Sequence, residues 1–483
     1  MNGRESGLLC LCLPGRLIII HQFRSEVIMQ IVVIGGGDVG EALIIAISKE
    51  GHNVTVIDEE SAVINTIVNK YDVRGVAGNG ANIAVQKEAG VEDCDVLIAI
   101  TPGDELNLLC CMIGNQLGAK HSIARVRNPQ YLRQMSFMGN KFGIDMIVNP
   151  EFEAASEAAR LIRFPVAMKL DKFAQGRVEV VEIHITSSHP LIGQKLSELK
   201  SKYNTNVLVC AARRGEDVII PGGDYVICEG DFISVTASRP DITDFFMKIG
   251  MLGKHIKSVL IVGGGTITRY LAAQLTNSAY NVKIIESDAE TCEELSDILP
   301  RATIIHGNAA DPDLLIEEGI DHAGACVVMT DDDKTNIIIS MFAQTRSVEK
   351  VISKLSSEAF LKLSYSSGTD SVISPKLLVT TKVIQYLRGL ANRDAHESKS
   401  KLKTLYKIAD NRIEALEFDV AEDFKYIGIP LRSIKCKKNL LIAAVIRDGA
   451  VIYPHGQTTL EIGDSVVVVT TNEQLYDLGD ILT

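Results

Sequence analysis

The 483-residue sequence contains no tryptophan, and aromatic residues make up only 5% of it. A base-stacking platform for nucleic acid and the aromatic belt of a membrane protein both need aromatic side chains, so neither is expected. The ten cysteines form no CxxC pair, which argues against structural zinc and favours a reducing compartment such as the cytoplasm. No apolar run approaches the ~20 residues that cross a bilayer.

Basic clusters are also missing. The formal net charge is -12, and binding a phosphate backbone requires grouped lysines and arginines, so nucleic acid is not predicted as a partner. The histidines are scattered without a ligand motif, and we predict neither a metal-binding nor a catalytic residue. Hydrophobic residues reach 46% and charged residues 23%, which is typical of a folded globular protein. The length predicts roughly three or four domains.

Residues 1–28 form a separate segment. A short apolar stretch lies near the start, but Pro14 and Arg16 interrupt it and no cleavage site of small residues follows, so a secretory signal is not predicted. Met29 stands directly before the first strand-like run. We therefore expect an N-terminal extension or a misassigned start, with a short ordered tail or an interfacial anchor as the alternatives.

The rest of the chain is an internal duplication. The strand and turn at 31–37 recur at 259–265, and the acidic residue Asp58 has its counterpart in Glu286. In each copy, short apolar runs alternate with helix-length amphipathic stretches, which predicts an α/β unit with a parallel, doubly wound, Rossmann-like sheet. Shorter strands separated by turns follow each copy and predict a small β-rich α+β domain. The predicted domains are 29–150 (Rossmann, nucleotide-binding), 165–249 (small, β-rich), 255–375 (Rossmann) and 400–483 (small, β-rich).

A glycine-rich turn follows the first strand. Gly35-x-Gly37-x-x-Gly40 opens a helix, and Asp58 ends the next strand, as in dinucleotide-binding proteins. The first glycine permits the tight turn, the second lets the backbone approach a pyrophosphate, and the third allows helix and strand to pack closely. The helix N-terminus would hold the anion, and Asp58 would accept hydrogen bonds from a ribose diol. We predict a nucleotide site here, against the alternative of a purely structural turn.

The second copy departs from this pattern. Its turn is Gly263-x-Gly265-x-x-Thr268, in which threonine replaces the third glycine, whereas Glu286 keeps the acid. We expect looser packing at Thr268 and a site of the same kind with weaker or altered affinity, or a degenerate site.

Further paired positions follow the third, fourth and fifth predicted strands, at the sheet edge where such folds bind ligands. They are Gly78 and Asn79 with Asn308, Thr101 with Thr330, and Arg125 with Lys354. Helix capping explains the uncharged residues equally well, and a solvated surface cation is the alternative for Arg125. The acidic run 331–333 is interpreted as a helix cap and not as a divalent-cation site.

These features together resemble one family. The domain order, the segment 29–40 (MQIVVIGGGDVG), the segment 123–129 (IARVRNP) and Glu461-x-Gly463-Asp464 are similar to the TrkA family of potassium-uptake regulators. That family has two RCK (KTN) N-terminal Rossmann domains, each followed by an RCK C-terminal domain, and the resemblance covers nearly everything from Met29 onwards. It implies a peripheral protein on the cytoplasmic face of the cell membrane that binds NAD or NADH and, in related rings, ATP or ADP.

The resemblance also implies partners and site residues. The partner would be a Trk-type potassium-translocating membrane subunit. The chain would form a homo-oligomer, a tetramer of chains, in which nucleotide occupancy changes the angle between paired Rossmann units. By position, the first site would consist of Gly35, Gly36, Gly37, Asp38, Val39, Asp58, Thr101 and Arg125. The second would consist of Gly263, Gly264, Gly265, Thr266, Ile267, Glu286 and Thr330, with Lys354 in the place of an arginine.

Two other functions are open alternatives. An NAD-dependent oxidoreductase would share the glycine turn, although no Tyr-x-x-x-Lys or Cys/His arrangement stands beside either turn. An RCK regulator of another cation transporter would share the whole domain order. The sequence favours a regulator of potassium uptake that is not itself an enzyme.

Overall fold

The computed structural model describes residues 28–131, 142–173, 177–215, 217–251, 256–346, 348–367, 371–395, 402–408, 412–471, 475 and 477–482. The N-terminal extension lies outside these residues, apart from Ile28. Met29 is buried in the core of the first large sheet, with 1% of its surface exposed.

The first large unit is a six-stranded parallel sheet in the order β3-β2-β1-β4-β5-β6. Its strands are β1 (Gln30–Ile34), β2 (Asn53–Asp58), β3 (Arg74–Ala77), β4 (Val96–Ala99), β5 (His121–Arg125) and β6 (Met146–Val148). Its helices are α1 (Asp38–Lys49), α2 (Ser61–Lys70), α3 (Ile83–Glu88) and α4 (Asp104–Leu117). Successive strands are added to one side of β1 as far as β3 and to its other side from β4 onwards, so the strand order reverses between β1 and β4. Doubly wound sheets bind their ligands at this switch point.

A connecting helix and a small antiparallel unit follow. The helix α5 (Pro150–Arg163) begins after Asn149, whose side chain accepts a hydrogen bond from the Phe152 N–H at 2.8 Å. Proline at the first helical position suits this start, because its missing N–H would have no partner there. The small unit contains β7 (Lys169–Phe173), β8 (Val178–His184), α6 (Leu196–Tyr203), β9 (Leu208–Arg214), β10 (Asp217–Ile219), β11 (Phe232–Ser238) and α7 (Arg239–Lys248). Its strand order is β10-β9-β11-β8-β7.

The second large unit repeats the first. Its strands are β12 (Ser258–Val262), β13 (Asn281–Glu286), β14 (Thr303–His306), β15 (Ala325–Val328), β16 (Lys350–Lys354) and β17 (Ser371–Ile373). Its helices are α8 (Thr266–Thr276), α9 (Ala289–Ile298), α10 (Pro312–Glu317), α11 (Asp333–Thr345) and α12 (Glu358–Ser367). The parallel sheet has the order β14-β13-β12-β15-β16-β17, which is equivalent to that of the first unit.

The second connecting helix and small unit complete the chain. They contain α13 (Pro375–Ala395), β18 (Leu402–Ile408), β19 (Ile413–Asp419), β20 (Leu440–Arg447), β21 (Ala450–Ile452) and β22 (Ser465–Thr470). The strand order β18-β19-β22-β20-β21 matches that of the first small unit. The predicted fold class, two doubly wound Rossmann-like sheets that each precede a small β-rich unit, is confirmed.

The two halves exchange their connecting helices. Ala154 and Ala158 of α5 share a core with Leu271 of α8, which belongs to the other large unit. Conversely, Val383 of α13 lies in the core of the first large unit with Leu43 of α1. Small alanine side chains let α5 and α8 approach closely, and burial of these apolar faces stabilises the pairing by roughly 25 cal/mol per Å².

The small units also pack against each other. Phe173 and Val180 of the first small unit share a core with Ala415 and Val467 of the second. The two halves therefore meet through both their large and their small units, as the halves of a dimer would, although they belong to one chain.

Candidate nucleotide-binding sites

The turn between β1 and α1 has the geometry that glycine alone permits. Gly35 has φ +106, and a Cβ added there would lie 3.1 Å from the Thr101 nitrogen. A Cβ at Gly40 would lie 2.0 Å from the Gly35 carbonyl oxygen, so helix and strand could not pack as they do. Gly37 differs, because a Cβ added there meets no atom within 4 Å. The exposed side of the turn is therefore open above Gly37.

The acid at the end of β2 is held beside this turn. Asp58 Oδ2 accepts a hydrogen bond from the Gly36 N–H at 2.7 Å, and Oδ1 accepts one from the Glu60 N–H at 2.9 Å. The side chain is half-buried. These two bonds orient the carboxylate next to the glycine turn, where a dinucleotide-binding sheet places its ribose-binding acid.

The N-terminus of α1 begins at Gly37, which has no side chain to cap the helix. The first turn contains Asp38 and Val39, of which Asp38 is exposed. Free first-turn N–H groups and the positive end of the helix dipole attract an anion. The negative charge of Asp38 offsets part of the positive potential at the helix N-terminus and would repel a phosphate bound at the same place. The second copy has the neutral Thr266 at the equivalent position.

The second glycine turn keeps this arrangement. Gly263 has φ +95, and the Gly264 N–H donates to Glu286 Oε2 at 2.5 Å. Glu286 Oε1 accepts from the Asp288 N–H at 2.8 Å. A Cβ at Gly265 again meets nothing within 4 Å. Glu286 thus occupies the place of Asp58, with one more methylene group in its side chain.

Threonine at the third position of the second turn does not loosen it. Thr268 is fully buried, and its hydroxyl donates to the Gly263 carbonyl at 2.6 Å. The expected looser packing is therefore wrong, because a side-chain hydrogen bond joins α8 to the turn in place of the direct approach at Gly40. Ile267 beside it is buried, with 8% exposure.

The loops after the third strands border both sites. The Gly78 N–H donates to the Asp58 carbonyl at 2.8 Å, and Asn79 Oδ1 accepts from the Ala81 N–H at 2.8 Å. Asn308 Oδ1 likewise accepts from the Ala310 N–H at 3.0 Å. Both asparagines are exposed and use their oxygens to shape the loop, which lies beside Asp58 in the first copy and Glu286 in the second.

The two threonines after the fourth strands are tied to a buried asparagine. Asn107 Oδ1 accepts from the Thr101 N–H at 2.8 Å and from its hydroxyl at 2.7 Å, while Nδ2 donates to the carbonyls of Thr101 and Arg125, both at 3.0 Å. Asn336 makes the same four bonds, to Thr330 and to the Lys354 carbonyl. Sequence reasoning missed both asparagines as site residues, although the repeated spacing of threonine and asparagine was visible in both copies.

The cations after the fifth strands each face a carboxylate. Arg125 Nη2 donates to Glu151 Oε1 at 2.8 Å, and the two side chains are 13% and 15% exposed. Among the described residues, Arg125 Nε and Glu151 Oε2 are buried without a hydrogen-bond partner. Lys354 Nζ lies 2.7 Å from Asp331 Oδ1. Glu151 is in the first turn of α5, so the Arg125 pair connects the first site directly to a connecting helix.

The acidic run after β15 has separate roles for its members. Asp332 caps α11 by accepting from the Thr335 N–H at 2.9 Å. Asp333 accepts from the N–H groups of Ser356 and Ser357 at 3.0 and 2.7 Å. Of the three carboxylates, Asp332 alone caps the helix, so the interpretation as a helix cap is confirmed for that residue and not for Asp331 or Asp333.

Comparison with known proteins defines the class of this chain. The TrkA-N domain model matches residues 31–150 and 259–375, and the TrkA-C domain model matches residues 180–250 and 415–483. The chain is thus a tandem TrkA-N/TrkA-C protein. A Trk system potassium uptake protein TrkA from Halomonas elongata is 31% identical over 461 residues, which cover 93% of this chain and 99% of that protein. A TrkA homolog from Archaeoglobus fulgidus is 30% identical over 94% of this chain and 100% of that protein. The chain belongs to the TrkA family of Trk-system potassium uptake proteins.

Solved structures share the fold at lower identity. The crystal structure of the GsuK RCK domain matches with a TM-score of 0.61 and 17% identity, over 93% of this chain and 94% of that chain. The structure of the GsuK channel bound to NAD matches with a TM-score of 0.60 and 17% identity, over 93% of this chain and 78% of that chain. These likenesses confirm the predicted RCK fold. Within the described ranges, none of the helices combines the length and apolar character needed to traverse a bilayer.

Proposed function

We propose that this chain is a nucleotide-sensing regulatory subunit, without enzymatic activity of its own, that acts on a Trk-type potassium-translocating membrane subunit from the cytoplasmic face. Membership of the TrkA family supports the proposal that the partner is a Trk-type membrane subunit. The two glycine turns, each hydrogen-bonded to an acidic side chain, support the proposal that the chain senses a nucleotide. The observation that carries the proposal is the bond from the Gly36 N–H to Asp58, because it preorganises a ribose-binding carboxylate beside an open helix N-terminus.

The proposed ligand of the first site is NAD or NADH, bound by the residues from Gly35 to Val39 with Asp58, Gly78, Asn79, Thr101 and Arg125 around it. The acid favours a free ribose diol, which NAD and the adenine nucleotides ATP and ADP share. The second site, from Gly263 to Ile267 with Glu286, Asn308, Thr330 and Lys354, would bind the same class of ligand with different affinity.

A route from the first site to the rest of the molecule runs through Arg125. A phosphate group near Arg125 would compete with Glu151 for the guanidinium, and Glu151 belongs to α5, which packs on α8 of the other large unit. Nucleotide occupancy would then change how the two large units sit together and so act on the membrane subunit. At the second site, Lys354 pairs with Asp331 inside its own unit. The first site is therefore proposed as the one that controls gating.

The proposed homo-oligomer, a tetramer of chains, has a candidate surface. Leu109 and Met112 on α4 are 47% and 38% exposed, and their counterparts Ile338 and Met341 on α11 are 66% and 50% exposed. Apolar side chains at equivalent exposed positions of both copies are typical of a surface covered by another chain.

The decisive experiment uses two matched variants. Gly37→Ala and Gly265→Ala both place a methyl group where the structure has open space, so both should fold normally and obstruct only the approach of a pyrophosphate. Calorimetry with NAD, NADH, ATP and ADP should show affinity for the first site falling at least about tenfold in Gly37→Ala. Gly265→Ala should leave that site unchanged and alter any second binding event.

The same variants test regulation. Potassium uptake by cells that carry Gly37→Ala should no longer respond to the nucleotide, whereas Gly265→Ala should retain the response. Unchanged nucleotide binding and unchanged regulation in Gly37→Ala would reject the proposal. Substrate-dependent consumption of NADH by the purified protein would instead favour an oxidoreductase.

A further inference from the structure

A buried ion cluster joins three units that come from both halves of the chain. Arg388 on α13 donates to both carboxylate oxygens of Glu50, which follows α1, at 2.6 and 2.8 Å. It also donates to both oxygens of Glu414 on β19, at 2.8 and 2.9 Å. The three side chains are 3%, 8% and 6% exposed. The cluster ties the first large unit to the second connecting helix and the second small unit.

The internal duplication gives each of these three residues an equivalent elsewhere in the chain. The connecting helices align at their initial prolines, β8 aligns with β19, and α1 aligns with α8 through the glycine turns. The equivalent residues are Arg388 and Arg163, Glu414 and Glu179, and Glu50 and Ser278. The first half therefore retains the arginine and one glutamate but has a serine in the place of the second carboxylate.

A cavity lies beside the equivalent arginine, Arg163, which also reaches the serine. Arg163 Nη2 is 3.5 Å from Ser278 Oγ, which is the limit of a hydrogen bond. The cavity beside it has a volume of about 40 Å³ and is lined by Arg160, Arg163, Phe164, Leu170, Glu179 and Arg239. We refer to it as the arginine cavity. Its volume exceeds the ~10–15 Å³ that one water molecule requires.

The arginine cavity carries an excess of positive charge. Arg160 pairs with Glu157, and Glu179 lines the cavity. Arg163 and Arg239 have no carboxylate partner within the described part of the chain. Three of the six residues that line the cavity are arginines and one is a glutamate, and the planar donor fork of arginine suits bidentate binding of an oxyanion. In the other half, Gln385 is equivalent to Arg160, and the cluster needs no external anion.

We propose that the arginine cavity binds a phosphate group, either as inorganic phosphate or as the terminal group of a phosphomonoester. The bound anion supplies the charge that Glu50 supplies in the other half. α5 and the first small unit meet at this cavity, and Arg163 also reaches Ser278 after α8, so the anion would hold these units together as Arg388 does with its two carboxylates. The site is separate from both glycine turns.

The test measures thermal stability of the full chain with inorganic phosphate, against chloride at equal ionic strength. Phosphate at saturating concentration should raise the Tm of the unmodified protein by about 2 °C or more. Ser278→Glu places the missing carboxylate in the chain itself, so it should raise the Tm without phosphate and remove the response to phosphate. Arg163→Gln should remove the response to phosphate without raising the Tm. This variant tests the proposal even if Ser278→Glu folds poorly.

A control variant and a second ligand complete the design. Arg301→Gln, a change at an exposed arginine outside the cavity, should keep the full response. Phenyl phosphate, a phosphomonoester, should stabilise the protein if the cavity accepts a substituted phosphate; stabilisation by inorganic phosphate alone would assign the free ion. An absent response in the unmodified protein would overturn the proposal. An equal response in Ser278→Glu and Arg163→Gln would also overturn it, because the phosphate would then bind at another place such as the glycine turns.

Discussion

Replacing Arg388 with methionine should strongly destabilise the docking of α13. The change leaves Glu50 and Glu414 as two buried carboxylates, 8% and 6% exposed, without the guanidinium that compensates them. Removing one partner from a buried ion cluster costs about 3–5 kcal/mol, since the remaining charges stay desolvated. An exposed ion pair contributes less than about 1 kcal/mol. The burial of Arg388 therefore determines the expected size of the effect.

Hydrogen–deuterium exchange measures this loss locally, which suits a chain of several units that need not unfold in one step. Amides in the middle of α13, around Val383 and Leu387, should exchange about a hundred to a few thousand times faster in Arg388→Met, because each 1.4 kcal/mol corresponds to about a factor of ten. Arg346→Met is the matched control. Arg346 also pairs with a carboxylate, Asp321 at 2.6 Å, but the two side chains are 35% and 36% exposed, so the rates should change only slightly.

A triple variant separates loss of charge balance from loss of packing. Arg388→Met combined with Glu50→Gln and Glu414→Gln removes all three buried charges and should recover at least half of the protection lost in Arg388→Met. Equal exchange rates in Arg388→Met and Arg346→Met would refute the reasoning. So would a triple variant that exchanges faster than the single one.

Four further outcomes are expected. Burial lowers the pKa of His189 to about 4, so the unfolded chain binds more protons than the native one between pH 6.5 and 4. The free energy of unfolding should therefore fall by about 2–3 kcal/mol as the pH decreases through this window. His189→Gln should flatten that pH dependence in urea denaturation. Asp38→Asn should tighten nucleotide binding about two- to fivefold in calorimetry by removing a negative charge from the α1 N-terminus. Asn107→Leu removes four hydrogen bonds to half-buried Thr101 and Arg125 and should lower the free energy of unfolding in urea by about 2–4 kcal/mol. Burial raises the pKa of Cys110 to about 12, so iodoacetamide should label half-buried Cys228 before Cys110 in the native protein.

The glycine turns were predictable because their requirements are local. A positive φ at Gly35 and the close approach at Gly40 depend on residues next to them in sequence or on the adjacent strand. The acids Asp58 and Glu286 end strands whose alternation with helices was visible; their hydrogen bonds from the turn were not predicted. Whether these residues bind a nucleotide stays a prediction.

The partners of the site residues were not predictable. Arg125 was expected either to face a ligand phosphate or to be solvated, yet it is mostly buried against Glu151. The pairing depends on how α5 leaves the sheet, which no local pattern specifies. Thr268 was expected to loosen its turn, but its hydroxyl donates to the Gly263 carbonyl, a contact that depends on how the helix is placed beside the turn.

The sequence by itself determined the duplication, the fold class and the position of each glycine turn, because strand and helix periodicity and turn conformation are properties of short segments. Only the tertiary structure decided that α5 and α13 exchange between the two halves, and that Arg388 is buried with two glutamates while Arg163 faces a cavity. These features arise where surfaces far apart in sequence meet. Which surfaces meet depends on the summed packing of whole units, and a single substitution at such a junction, serine for glutamate, changes the charge balance that the structure must satisfy.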